Sequence, residues 1–557
     1  MLLSNLELLA TAPGGVARLR ELILTLAVQG KLVPQDPADE PASVLLRKIR
    51  AEKDRLLAEG KIKKDKPLTV IAEEEKPFEL PMGWEWVRFG EVLDFQGGGQ
   101  PPKSNFSEVP LPDYVQLIQI RDLGDKPQPV YIPRKLASKF CTTSDVMVGR
   151  YGASVGKVFW GKEGAYNVAL VKMVDEHQVF DRRFLFQLLL SPIGQSLFAG
   201  ISRSAQDGFN KNDIEAKLIP LAPLAEQSRI VARVEELMCL CDALEAKGQL
   251  EATQHAQLLS TLLGTLTASA TPEELADNWQ RVAQHFDLLL DRPEAIDALE
   301  QTLLQLAVRG LLVPQDPTDE PASVLLQKIR AEKDRLIAAG QIKRDKPLPP
   351  ITDEEKPFEL PVGWEWVRVG DVVELLNGYA FKSEWFKSAG VRLLRNMNIS
   401  HGHVDWSASV MLDAVAAQSY EQFALSVGDI VLSLDRPIIS TGLKYAVIRE
   451  SDLPCLLLQR VARLTVFAFL SPEFLQLWLQ SDLFVGTIDP GRSNGVPHIS
   501  TKQVAGLAFA LPPLAEQSRI VARVTQLRRL CADLRQRLAE REAVQARLAE
   551  ALVASVA

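Results

Sequence analysis

The heptapeptide Gly-Ala-Ser-Val-Gly-Lys-Val at residues 152–158 sets a lysine directly after the second of two glycines. With the right spacing, such a loop cradles a phosphate in backbone amides and an ammonium group. That chemistry requires four residues between the glycines and a Ser or Thr after the lysine. Here three residues intervene and Val158 follows Lys157, so the stretch reads as a tight hairpin. The 6 histidines form no HExxH and no zinc spacing, and His401-Gly-His403 reads as part of a surface loop. There is no GxSxG elbow, no GxGxxG, and no Asn- or Asp-Pro-Pro-aromatic tetrapeptide of the kind amino-methyltransferases carry. Over 557 residues this favours a binding protein over an enzyme, with no metal and no cofactor of its own.

Should the bound partner be nucleic acid, certain loops carry side chains that could contact it. Arginine suits the guanine edge, Asn and Gln suit adenine, and polar or basic loops hold the phosphates. One set comprises Gln100, Lys103 and Ser104, behind the Gly97–Gly99 run that permits close backbone approach. It continues with Arg121, with Arg150, Tyr151 and Lys157 around the hairpin turn, and with Arg203, Ser204 and Gln206. A second set comprises Tyr379, Lys382, Arg395, Asn396, Asn398, Arg436, Arg492, Ser493 and Asn494. Taken singly, each is equally an ordinary solvated loop residue. The loops "SRSAQDG" and "DPGRSNG" weigh most, because they occupy equivalent places in two repeats. Segments 47–66 and 327–346 carry nine and seven basic residues against four and three acidic ones. Such runs are usually solvated helix faces; phosphate contact or docking to an acidic partner are the alternatives.

The formal net charge of −8 argues against a chain coated in phosphate-binding residues. DNA binding then needs local basic surface or a basic partner. The 5 cysteines (141, 239, 241, 455 and 531) form no even framework and no CxxC pair, which points to a reduced, cytoplasmic chain. The start, "MLLSNLELLA", lacks the basic region of a signal peptide. The most apolar stretch, near 455–480, is interrupted by Arg460 and Arg463, so no membrane span is expected.

The elements that must position these loops come in two copies. A frame at about 16–90 returns at about 296–370, offset by 280. Its 25-residue segments at 32–56 and 312–336 differ only at Ala38/Thr318 and Arg47/Gln327. "PLAEQSRIVARV" stands identically at 223–234 and 513–524, offset by 290. Between these, residues 91–222 and 371–512 match poorly. A spared frame around divergent inserts implies a common scaffold with common partners, and two related tasks of different specificity. Drift after duplication would not spare the frame alone.

Val16, Leu19, Leu22, Ile23 and Leu26 recur at helical spacing, with Gly30 at the C-cap and Pro34 beyond. Asp39 or Ser43 is expected to cap a second helix with apolar residues Leu45, Leu46, Ile49 and Leu56, ended by Gly60. This predicts a helical hairpin at about 16–60 and its copy at about 296–340. After Pro223, Ile230, Val234, Leu237, Cys241 and Leu244 follow a 4-3-4-3 spacing. After Pro513, Ile520, Val524, Leu527, Cys531 and Leu534 do the same. This is the seam of a coiled coil. Some 45 residues of helix would span about 65 Å. Residues 269–295 read as an irregular passage. The inserts read as mixed α/β, with strands at 114–123 and 391–399, strand–turn–strand at 145–160 and 428–448, and short helices near 182–198 and 471–481. Trp84, Trp86, Trp364 and Trp366, shared by both halves, are expected to pack at the insert roots. The resulting division is 1–75, 76–222, 223–268, 269–355, 356–512 and 513–557.

"LAVQGKLVPQ", the "GWEWVR" leading into a variable domain, and "PLAEQSRIVARV" opening a long helix resemble the specificity subunit of type I restriction–modification enzymes, over nearly the whole chain. Some members begin directly at the first variable domain; this chain adds a helical hairpin before each. The resemblance implies an α+β fold with pseudo-two-fold symmetry. Two mixed α/β target recognition domains would be joined by two long helices in an antiparallel coiled coil. Each domain would read one half of a bipartite double-stranded DNA site. Two methyltransferase subunits would dock for adenine N6 methylation, and restriction subunits would add ATP-dependent cleavage. S-adenosylmethionine, ATP and magnesium would belong to those partners. The order of elements further predicts that the N-terminal hairpin packs near the C-terminal helix. The competing readings are a protein-binding scaffold without DNA, and a DNA-modifying enzyme with an unfamiliar site.

Overall fold

A computed structural model describes residues 12–59, 68–201, 208–269, 271–342, 344, 346–440, 442–488 and 498–556. Among them, no helix is long and apolar enough to cross a membrane. The chain divides into two compact units, Met1–Glu251 with Arg541–Ala557, and Ala252–Glu540.

Each unit holds one of the two inserts expected to be recognition domains, closed at its root by a frame strand paired with a strand at the insert's end. In the first, Glu85–Arg88 runs antiparallel to Leu218–Leu221, with Glu85 opposite Leu221. In the second, Glu365–Arg368 pairs with Ala508–Leu511, with Glu365 opposite Leu511. The tryptophans pack there, as their presence in both halves predicts. Trp84 and Trp364 are buried, and the Trp86 indole donates to the Phe78 carbonyl at 3.2 Å.

The first recognition domain has two four-stranded sheets. One orders Asp94–Gly97, Leu170–Val174, Val146–Gly149 and Val158–Trp160, all antiparallel. In the other, Tyr114–Ile118 runs parallel to Gly164–Tyr166. The second domain has a five-stranded sheet through Val373–Asn377, Val461–Val466, Ile430–Ser433, Tyr445–Val447 and His401–Gly402, and a smaller sheet around Val391–Leu394. Helices Arg182–Leu190 and Pro472–Gln480 are capped by the side chains of Asp181 and Ser471. The strands expected over 114–123 and 391–399 stop early, at Ile118 and Leu394. There Asp122 and Asn398 turn back onto the backbone and wind a 3-10 turn.

Before each recognition domain come a lead helix, Gly15–Val28 or Pro293–Val308, and a second helix, Ala42–Ala58 or Ala322–Ala338. Gly30 takes φ +67° just past the first helix, and a Cβ there would meet Pro81 at 2.5 Å. Neither Asp39 nor Ser43 caps the second helix, whose N-cap is Pro41. Asp39 instead binds the Arg229 guanidinium at 2.6 Å. The two helices share one buried cluster, with Leu19 and Ile23 from the first and Ala42, Leu46 and Ile49 from the second. The second leans on the recognition-domain root, where Ala42 N–H donates to the Gly83 carbonyl and Lys53 to that of Glu91. Gly60 lies outside the described residues.

The long helices span Leu224–Ala268 and Leu514–Val556. Their seam residues face a third helix as well. In the first unit, Ile230, Val234 and Cys241 share one buried cluster with Leu19 and Ile23 of the lead helix and with Ala549. Leu237, Leu244 and Val553 pack against it. Arg18 donates to the Ala546 carbonyl at 2.8 Å, placing the N-terminal lead helix on the C-terminal helix. In the second unit, Leu259, Leu263 and Leu266 share a cluster with Leu299, Leu303, Cys531 and Leu538, flanked by Leu527 and Leu534. Ile520 and Val524 are buried nearer the domain root. Each fully buried Leu or Ile here contributes about 1.5–3 kcal/mol. The passage expected to be irregular is helical over Pro272–Gln284 and Phe286–Leu289, because Thr271 caps its start and Pro272 sits where a missing N–H costs nothing.

Candidate nucleic-acid interface

In both recognition domains a glycine lets the first sheet strand cross a tight turn. A Cβ on Gly98 would lie 2.1 Å from the Asn167 carbonyl oxygen, and one on Gly378 would lie 2.2 Å from that of Leu458. The two glycines are 280 residues apart, so the divergent inserts keep one frame position. The crossing brings three chain segments to one corner of each domain: the strand just named, the end of a central strand, and the segment leading back to the root.

In the second domain this corner is an open cleft of about 880 Å³, lined by Asn377, Asn396, Asp435, Arg436, Gln459, Arg460, His498 and their neighbours. The backbone fixes it: Leu434 N–H donates to the Arg460 carbonyl at 2.9 Å, and Ile499 N–H to that of Leu434 at 3.0 Å. Arg436 (φ +46°) and Arg460 (φ +68°) both hold the left-handed conformation that disfavours side chains. Such strain persists where the surroundings over-determine it, and it clusters at functional positions. Arg460 Nη1 sits 2.7 Å from Asp435 Oδ2, and His498 Nδ1 is 3.9 Å from Asp435 Oδ1. Asp435 thus presents two nitrogen-bearing side chains at the mouth. Lys444 beside it is buried, and burial pulls its ammonium below the usual range, with Asp435 opposing.

The corresponding corner of the first domain holds Arg150, whose Nε donates to the Phe209 carbonyl at 3.0 Å and whose guanidinium lies 5.3 Å over the Tyr151 ring. Tyr151 bridges to Gly208, where a Cβ would strike the ring at 2.6 Å. This corner offers a cation and an aromatic face where the second offers two arginines, an acid and a histidine.

The structure thus gathers Arg150 and Tyr151 at one corner, and Asn396 and Arg436 at the other. Gln100, Lys103 and Ser104 stand exposed on and beside the turn Lys103–Asn105. Arg121 and Lys157 are exposed elsewhere on the first domain. Lys382 lies over the Trp385 ring, Tyr379 packs among Phe381, Tyr420 and Phe423, and Arg395 donates to the Ala408 carbonyl. Asn398 is buried and holds its own turn, donating to the Asp405 carbonyl at 2.9 Å. Arg203, Ser204, Gln206, Arg492, Ser493 and Asn494 lie outside the described residues. Asn377, Asp435, Gln459, Arg460 and His498 went unread in the sequence. Arg460 was noted only as an interruption of an apolar run, which was itself a signal.

The family described as "Type I restriction modification DNA specificity domain" matches residues 81–254 and again 361–541. The chain belongs to that family. This specificity subunit is 46% identical, over 97% of its length and 93% of the relative's, to the type I restriction enzyme EcoAI specificity subunit of Escherichia coli. It is 35% identical, with the same coverages, to the EcoEI specificity subunit of that organism. A solved structure of an HsdS subunit from Thermoanaerobacter tengcongensis is similar at 22% identity, with a TM-score of 0.41, covering 86% of this chain and 98% of that one. The two matched regions of the specificity subunit cover its two recognition domains and run on into the long helix that follows each.

Proposed function

We propose that the two corners read the two halves of a bipartite double-stranded DNA site, one per recognition domain. The observation that carries this is the repetition of one backbone crossing, at Gly98 and Gly378, with different side chains around it. A shared geometry with unlike base-facing groups fits two readers of different sequence. The seam residues on the two long helices support an antiparallel coiled coil as the spacer. Two half-sites read from one side of the duplex lie about 34–36 Å apart per helical turn, and a helix of this length suits that task.

Twin frames offer equivalent surfaces to two copies of one partner. In this reading the partners are two methyltransferase subunits, which carry S-adenosylmethionine and modify adenine N6 in each half-site. Restriction subunits would use ATP and magnesium for cleavage. The chain would supply recognition and no catalysis.

The test is co-expression with its methyltransferase partner in a host lacking adenine methylation, followed by methylome sequencing. One split motif, methylated in both halves, is the expected result. Adenines left unmodified genome-wide, despite an assembled complex, would remove the reading in favour of a scaffold without DNA.

A further inference from the structure

The twin frames repeat several of their polar contacts. Arg229 binds Asp39 at 2.6 Å, and Arg519 binds Asp319 at 2.6 Å. Gln35 donates to Glu226 at 3.2 Å, and Gln315 to Glu516 at 3.1 Å. The root strands pair in the same register. Each of these contacts would form equally well if the first frame's N-terminal part docked on the second frame's long helix. The side-chain partners of these ion pairs and hydrogen bonds are identical in the two halves and offer no choice, and of each root pair one strand, EWVR, is shared.

Some lead-helix contacts differ between the halves, such as Arg18 to the Ala546 carbonyl in the first and Arg309 to the Thr267 carbonyl in the second, and one set differs by inversion. In the first unit the lead helix carries the base and the long helix the acids. Arg20 lies 2.5 Å from Asp242 and 3.0 Å from Glu245. In the second unit the lead helix carries the acids and the long helix the bases. Arg535 lies 2.6 Å from Asp297 and 2.8 Å from Glu300, and Arg528 is 2.8 Å from Glu300. By the offsets of 280 and 290, Glu300 stands where Arg20 stands, and Arg535 where Glu245 stands. The same pair of positions carries an ion pair in both halves with its polarity reversed.

We propose that this inversion is a pairing code, which directs each lead helix to the long helix of its own half and rejects the exchanged assembly. In the exchanged assembly Arg20 would face Arg528 and Arg535, while Asp297 and Glu300 would face Asp242 and Glu245. Like charges would then meet at both sites. Discrimination between near-identical partners requires such a repulsive element, because attractive contacts alone favour both. Tandem near-identical segments are also the kind of chain that misassembles during folding. The long-helix charges flank the Cys241 and Cys531 seam positions in sequence.

The experiment uses the full chain, unfolded in denaturant and refolded by dilution, with recovery of the native species measured by size exclusion and by a native melting transition. One variant converts the first half to the second's polarity with Arg20→Glu, Asp242→Ala and Glu245→Arg. A second variant adds the reverse conversion of the other half, with Asp297→Ala, Glu300→Arg, Arg528→Met and Arg535→Glu. The first variant keeps an ion pair in both halves but erases the difference between them. Its recovery is expected to fall several-fold below that of the unaltered chain. The second variant restores the difference with the polarities exchanged, and its recovery is expected to return to the unaltered level. Equal recovery of all three proteins would overturn the proposal. So would a loss in the first variant that the second fails to restore, since that would be simple destabilisation.

Discussion

The indole N–H of Trp84 donates to the carboxylate of Glu226 at 3.0 Å, tying the start of a recognition domain to the first turn of a long helix. Trp364 and Glu516 repeat the bond at 2.9 Å. Both carboxylates are buried, and burial raises their affinity for protons while the indole and the Gln35 or Gln315 amide oppose it. Replacing Trp84 with Phe removes a donor from a buried acceptor, at about 1–3 kcal/mol. Trp364→Phe should cost the same to within about 0.5 kcal/mol, since the surroundings are duplicated. Denaturant midpoints of the two variants check this. A large effect at one root and none at the other would show that the frames are not energetically equivalent.

Acid should loosen the same roots through a different pair. Arg368 beside Glu355, with the Thr352 amide, holds that carboxyl at about 2, and Arg88 with the Ala72 amide lowers Glu75 likewise. A carboxyl whose folded value lies below its unfolded value of about 4.3 contributes stability that is present above about 4.3. That contribution is lost as pH falls through the interval toward about 2. Glu226 and Glu516, raised by burial, act with the opposite sign and resist the loss. The melting temperature of the unaltered chain should therefore fall more steeply between about pH 5 and about pH 2 than that of Glu355→Gln. Parallel curves would mean that the Arg368 pair does not couple to unfolding.

Thiol chemistry separates the cysteines by burial. Cys141, Cys241, Cys455 and Cys531 are buried and Cys239 is exposed. Burial raises the thiols of Cys241 and Cys531, and pushes Cys455 up to about 12. Since the thiolate is the reactive form, an alkylating reagent on the native chain should label Cys239 quickly and the other four only on unfolding. Mass spectrometry of the modified peptides reads this directly. Rapid labelling of Cys241 or Cys531 would contradict their packing in the helix clusters.

The frame was legible because repetition and helical spacing act locally. Leu19, Leu22, Ile23 and Leu26 are buried as their spacing predicts, and the long helices run from Leu224 and Leu514. The third helix on each seam was not legible, since a 4-3 spacing shows that a face is covered but not by how many helices. Asp39 looked like a cap because Asp caps helices; Arg229, 190 residues away, claims it instead. The corners proposed to read DNA were half legible. Arg150, Tyr151 and Arg436 stand beside turns the sequence marks, whereas Gln459, Arg460 and His498 reach the cleft through sheet pairing between distant segments. Asn398 shows the converse: a residue type suited to adenine, spent on its own turn.

Because the corners belong to separate recognition domains, their loss should be separable on DNA. Arg150→Ala removes the cation at the first corner, and Arg460→Ala removes the strained arginine that Asp435 holds at the second. A lost base contact is worth about 1–3 kcal/mol, or about 5- to 150-fold in discrimination. Each substitution should relax methylation at one position of one half-site and leave the other half-site unchanged. Lys103→Ala, which removes an exposed cation, should instead weaken binding evenly across sequences and lower its salt dependence. Methylome sequencing of the reconstituted complexes distinguishes these patterns. If Arg150→Ala and Arg460→Ala both blurred the two half-sites alike, the corners would be parts of the scaffold, and the readers would have to lie elsewhere on the recognition domains.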